Sequence, residues 1–148
     1  MRTIEGEVLA ALLVLLLLFA AGPGHVLAQP SPASDEAAYT GLIVVARGAQ
    51  RSISPKLLTP AGVVIYGSWK PGEVNVDYAI KVGVVGYPAS VAQSRRGGAN
   101  PLVVEALGVT GPARTHVVVS EPDAARIRAA NVKGRFLERF LVDIVIQH

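Results

Sequence analysis

His116, Ser120 and Asp143 are the residue types from which a nucleophilic or acid-base centre is built, and they lie apart along the chain. A general base works only within hydrogen-bonding reach of its nucleophile. Nothing local supplies that: His116 follows Thr115 at the start of an apolar run, and no G-x-S-x-G presents a serine on a sharp turn. The remaining histidines are His25 and the terminal His148. The chain has no cysteine and no H-E-x-x-H, which leaves zinc without a recognisable ligand set. The carboxylates Glu73, Asp77, Glu105, Glu121, Asp123, Glu138 and Asp143 form no spaced pair. No glycine-rich loop offers a phosphate cradle. The expectation is therefore a protein that is not an enzyme, with no catalytic residue, cofactor or metal. Convergence of Asp143, His116 and Ser120 in one cleft would argue the reverse.

Two charged groups invite a structural or binding role. Asp143 interrupts an apolar strand-like run, and an arginine across a sheet would neutralise it; Arg47, which ends the run "TGLIVVAR", is the expected partner in a structural ion pair. The stretch "SRRGGANP", Ser94 to Pro101, concentrates charge and flexibility, so Arg95, Arg96 and Asn100 are the candidate interaction surface. The plainer reading is a solvated helix end, where arginine is ordinary.

The elements that must position these residues follow from periodicity. "YTGLIVVAR" reads as a strand buried on both faces, and "KLLTPAGVVIYG" as a hairpin turning at Pro60-Ala61-Gly62. "DYAIKVGVVGYPASVAQSRR" reads as a broken or kinked helix ending at Arg95, weakened by Gly83, Gly86 and Pro88. Leu102 to Val109 and Thr115 to Val119 make a second hairpin around Gly111-Pro112. Ser120 is a helix N-cap, with Pro122 in the first turn and Asp123 meeting the helix dipole, and this helix closes near Asn131. From Phe136 to Ile146 the chain reads as one strand. Together these give an α+β domain: a mostly antiparallel sheet with two helices packed on one face.

The ends bound the setting. Val8 to Ala21 is an apolar run, short for a membrane span, followed by a Gly/Pro break and by Val26 and Ala28 ahead of Gln29. Residues 1–28 read as a signal peptide or, because Glu5 and Glu7 oppose Arg2, an uncleaved anchor. Residues 29–38, "QPSPASDEAA", are a flexible linker, and 39–148 a single domain. Loss of Arg2, Glu5 and Glu7 takes 14 basic and 11 acidic residues to 13 and 9, a mildly basic exported domain. Its expected place is the periplasm or the outer-membrane surface. Acidic envelope polymers suit that charge better than nucleic acid does.

Several separated stretches also carry a resemblance: "YTGLIVVARG", "ISPKLLTPAGVVIYG", "VVGYPAS", "GANPLVVEALGVTG" and "VVVSEPDAARI". In order and spacing they resemble a family of small bacterial envelope domains that includes the flagellar outer-membrane protein FlgP and related surface lipoproteins. The resemblance implies an exported, non-enzymatic structural module, associated in some members with outer-membrane rings or disks around the flagellum; the leading expectation is that it self-associates or docks to an envelope protein. No catalytic residues transfer with the resemblance, and peripheral contact with the outer membrane or peptidoglycan is a further expectation. This chain lacks the lipidation cysteine and has Val45 where the family pattern often has Asp. The alternative expectation is a periplasmic binding module for an acidic envelope polymer, which would bind more weakly as salt rises.

Overall fold

The structure, a computed structural model, describes residues 37–148. The expected leader (1–28) and all but the last two residues of the linker (29–38) lie outside the described residues. The elements are β1 (Gly41–Arg47), β2 (Leu57–Leu58), β3 (Val64–Tyr66), α1 (Val76–Lys81), β4 (Pro101–Glu105), β5 (Gly108–Thr110), β6 (His116–Val118), α2 (Glu121–Gly134) and β7 (Val142–Gln147), with short 3-10 turns at Val91–Gln93 and Pro112–Arg114. The fold is α+β. No helix among the described residues is long and apolar enough to cross a membrane.

Two sheets share the chain. The first runs β4-β1-β7, and both of its pairings are parallel; the second runs β3-β2-β6-β5 and is mixed, with β2 and β6 parallel between antiparallel edges. The expected mostly antiparallel sheet is thus corrected: the central sheet is wholly parallel. Continuous burial along β1 explains its central place, since a parallel strand is covered on both faces.

The hairpin across Pro60-Ala61-Gly62 forms as β2 and β3, with the Thr59 amide donating to the Val63 carbonyl at 2.9 Å. The second hairpin forms only in part. The run from Leu102 to Val109 breaks after Glu105, so that β4 joins the parallel sheet and β5 pairs with β6. The long run from Phe136 also shortens: Phe136 to Phe140 is a turn, and the strand starts at Val142. α2 begins as expected, Ser120 Oγ accepting from the Asp123 amide at 3.1 Å, and ends three residues past Asn131 at a left-handed Arg135. The broken helix is six residues of α1, followed by a turn and bends through Val84 and Val85 to the single-residue bridge at Gly86. α2 buries Ala124 and Ile127, whereas α1 has no fully buried residue and meets the core only through the partly buried Ala79.

One core serves both sheets. Leu42, Val44 and Ala46 of β1 and Val142 and Ile144 of β7 meet Leu57, Tyr66 and Val117 of the second sheet, with Ile127 and Phe136 closing the cluster. Each fully buried side chain of this size contributes about 1.5–3 kcal/mol. The period of two sends Ile43, Asp143 and Val145 to the opposite face of the parallel sheet. That back face is covered by the irregular chain between Gly86 and Asn100, as the nearness of Gly97 to Ile43 shows.

Candidate functional site

The back face holds the one buried charge of the described residues. Asp143 is 2% exposed and sits opposite Ile43 in register. Its Oδ2 accepts from Ser94 Oγ at 2.7 Å and from the Arg96 amide at 3.4 Å, and its Oδ1 lies 3.8 Å from Arg96 Nε. The rest of the guanidinium goes to backbone: Nη1 donates to the Phe140 carbonyl at 3.1 Å, and Nη2 to the Val82 and Gly83 carbonyls at 2.7 and 3.1 Å. Arg96 thereby ties the end of α1, the turn before β7 and β7 itself into one clasp. A buried carboxylate is tolerated when its lone pairs are filled and a cation faces it, and both conditions hold.

Gly86 completes this arrangement. It bridges to Asp143 as a one-residue parallel addition beyond β7, its amide donating to the Val142 carbonyl at 3.0 Å and its carbonyl accepting from the Ile144 amide at 2.9 Å. A Cβ here would run into Asp143 Oδ1, so this close approach requires glycine.

Arg47 does not pair with Asp143. In a parallel ladder both strands run the same way, so Arg47 faces Gln147 and stands four residues beyond the Asp143 row, about 13 Å along the strand. An antiparallel partner would have reversed that offset. Of the expected interaction surface, Arg95 is exposed, but Arg96 is turned inward as the clasp. Asn100 is half-buried and pins the entry to β1: its amide donates to Thr40 Oγ1 and its Nδ2 to the Ala37 carbonyl, at 2.9 and 3.0 Å.

The three residues whose convergence would signal an enzyme stay apart, each with a scaffold partner. Asp143 is in the clasp; His116 Nδ1 accepts from the Lys56 amide at 3.3 Å; Ser120 caps α2 and donates to Asp123 Oδ2 at 2.7 Å. Among the described residues no group of three or more His, Asp and Glu could hold a metal, and no buried side-chain polar atom lacks a partner.

With this geometry in place, comparison with known families gives one match: residues 41–148 fit the model of the second domain of Treponema pallidum Tp0624. The chain belongs to that family. The match starts at the first residue of β1 and runs past β7, so it spans every strand and helix described above. No curated protein matches the chain.

Sequence reasoning missed Ser94, Gly86 and the polar residues at the carboxyl ends of β1 and β7 in this family member. There, Tyr87 Oη donates to the Ser52 carbonyl at 2.9 Å and accepts from the Ser52 amide at 3.0 Å. Burial pushes the Tyr87 phenol above its ordinary value. The signal available is "GVVGYP", Gly83 to Pro88, which reads as helix although its two glycines and proline are helix breakers.

Proposed function

We propose that this member of the Tp0624 second-domain family is a non-enzymatic, exported structural module of the bacterial cell envelope, acting by self-association or by docking to an envelope protein. The finer placement, among FlgP-like proteins of the flagellar outer membrane, belongs to the same proposal. The observation that carries it is that His116, Ser120, Asp143 and Arg96 are each committed to holding backbone or a neighbouring side chain. Residues of catalytic type are here used as scaffold.

Surfaces for assembly are present. Ile53, Val76 and Ile80 are 78%, 69% and 69% exposed, and Ile53 and Ile80 line one shallow surface around α1. Exposed apolar residues gathered in this way favour association. β4 adds an edge strand with Val103 turned out.

Fractionation of the native host's envelope, with immunodetection in outer-membrane complexes and purified flagellar basal bodies, tests the reading. Co-sedimentation with an envelope assembly is expected, and I53E/I80E should release the protein from it with its far-UV circular dichroism unchanged. A freely soluble monomer in the native host would overturn the assembly role.

A further inference from the structure

The carboxyl ends of β1 and β7 frame a cleft of about 490 Å³ that plays no part in the clasp and adjoins the apolar surface around α1, with Arg51 and Tyr87 on the rim between them. Its wall includes Gln50, Arg51, Tyr87, Pro88, Ile146 and His148. In an open parallel sheet the crevice outside the carboxyl ends, where strand order changes direction, is the natural place for a ligand. The order β4-β1-β7 puts that change at β1, whose neighbours on the two sides come from later in the chain.

The cleft is built by fixed backbone. The Gly48 amide donates to the Gln147 carbonyl at 2.7 Å and the Gln50 amide to the Arg114 carbonyl at 3.0 Å. Gly48 has a φ of +69°, and the Arg114 guanidinium lies where a Cβ would stand, so glycine brings that cation against the end of β1. The bonds to Ser52 hold the Tyr87 ring still, and the Arg51 guanidinium carbon stands 5.9 Å from its centroid. Leaning on an aromatic face keeps a guanidinium oriented.

The charge is one-sided. Arg47, Arg51 and Arg114 gather at this end, whereas the sequence has no Asp or Glu from Ala37 to Gly72, from Tyr78 to Val104 or from Ala106 to Ser120. Asp143 is buried against Arg96, and Glu105 ends β4 on the far side of β1. Among the described residues the ion pairs are those of Arg96, Arg126 and Arg135, so the Arg51 side chain faces the cleft without an ion-pair partner.

We propose that this cleft binds an acidic sugar residue. The Arg51 guanidinium would receive the carboxylate or phosphate, Tyr87 and Pro88 would pack against the apolar face of the ring, and Gln50 and His148 would take hydroxyls. Guanidinium forks match both kinds of anion, and a wall that is half apolar and half polar suits a sugar better than a bare ion. The cleft shares Arg51 and Tyr87 with the rim of the surface around α1, but the assembly reading rests on Ile53 and Ile80, so failure of sugar binding would leave that reading standing.

Titrating the ¹⁵N-labelled full chain with D-glucuronate, glucose 6-phosphate, inorganic phosphate and neutral glucose, read by amide shifts, tests it. Saturable shifts at Gln50, Arg51, Tyr87 and His148 are expected with at least one of the two acidic sugars, weaker with inorganic phosphate and absent with glucose. Which acidic sugar binds more tightly tells a carboxylate source from a phosphate source. R51A should weaken that binding about tenfold or more while leaving the rest of the spectrum in place. Absence of saturable shifts at these amides, binding unchanged in R51A, or inorganic phosphate binding as well as the sugars would each overturn the proposal.

Discussion

Replacing Asp143 with asparagine keeps the size of the side chain and most of its hydrogen-bonding capacity but removes the charge facing Arg96. The Arg96 guanidinium would keep its bonds to the Phe140, Val82 and Gly83 carbonyls, so the clasp would loosen rather than vanish. Asp143→Ala removes the acceptors as well, and leaves the Ser94 hydroxyl without its acceptor and a largely buried cation without a counter-charge. Breaking a buried pair from one side costs about 3–5 kcal/mol. D143A is expected near the lower end, because Arg96 keeps 19% of its side chain in water, and D143N is expected to lose less. Urea unfolding of both variants, together with R47A, checks this. R47A should be nearly silent, since Arg47 is exposed and faces Gln147, and a cost for R47A equal to that of D143A would restore the pair suggested by the sequence.

At the scale of elements, the extension of the parallel sheet by Gly86 is the step most exposed to a single methyl group. Gly86→Ala would push against Asp143 Oδ1, and overpacking of this kind costs about 1–3 kcal/mol. The local readout is hydrogen exchange at the Ile144 amide, which donates to the Gly86 carbonyl. It should lose protection before the amides of β1 do, and unchanged protection would mean that the bridge carries no load. The same neighbourhood shows what was legible in the sequence. β1, the β2-β3 hairpin and the Ser120 cap were readable because each is signalled by residues next to one another: an unbroken apolar run, a Pro-Ala-Gly turn, a Ser with Asp three residues on. The parallel order was not readable, because periodicity marks Val142 to Ile146 as a strand without giving its direction. The Arg47-Asp143 pairing failed for that reason. Arg96 lay inside the candidate loop, but its inward turn depends on Phe140 and Asp143, more than forty residues away. The break of Leu102 to Val109 into strands of two sheets was hidden likewise, because both pieces are apolar and only their different partners separate them.

For the molecule as a whole, the shared core makes the two sheets one cooperative unit, and Tyr66 is where this can be tested. Its ring lies in the core between the sheets, its hydroxyl donates to the Val84 carbonyl at 2.6 Å, and burial pushes its phenol well above the ordinary 10.0. A group whose folded pKa is raised binds its proton more tightly in the native state. Its stabilisation is therefore complete below the unfolded value and is lost as pH climbs above about 10 toward the folded one. Tyr87, also raised by burial, adds in the same direction. Stability measured by urea should be insensitive to these phenols at neutral pH and fall once pH passes 10.0. Trp69, the sole tryptophan, reports on the event because it packs edge-on against Tyr66 at 5.3 Å and against Phe140 at 6.0 Å, touching the second sheet and the turn that leads into β7. Its fluorescence and the far-UV circular dichroism should change together in one transition. Tyr66→Phe should lower stability at neutral pH by about 1 kcal/mol through the lost hydrogen bond, and should flatten the alkaline slope, leaving the part due to Tyr87. If fluorescence moved well before the dichroism, the second sheet would be opening alone and the shared core would not be acting as one. If the slope persisted in full in Y66F, the alkaline loss would belong to other groups.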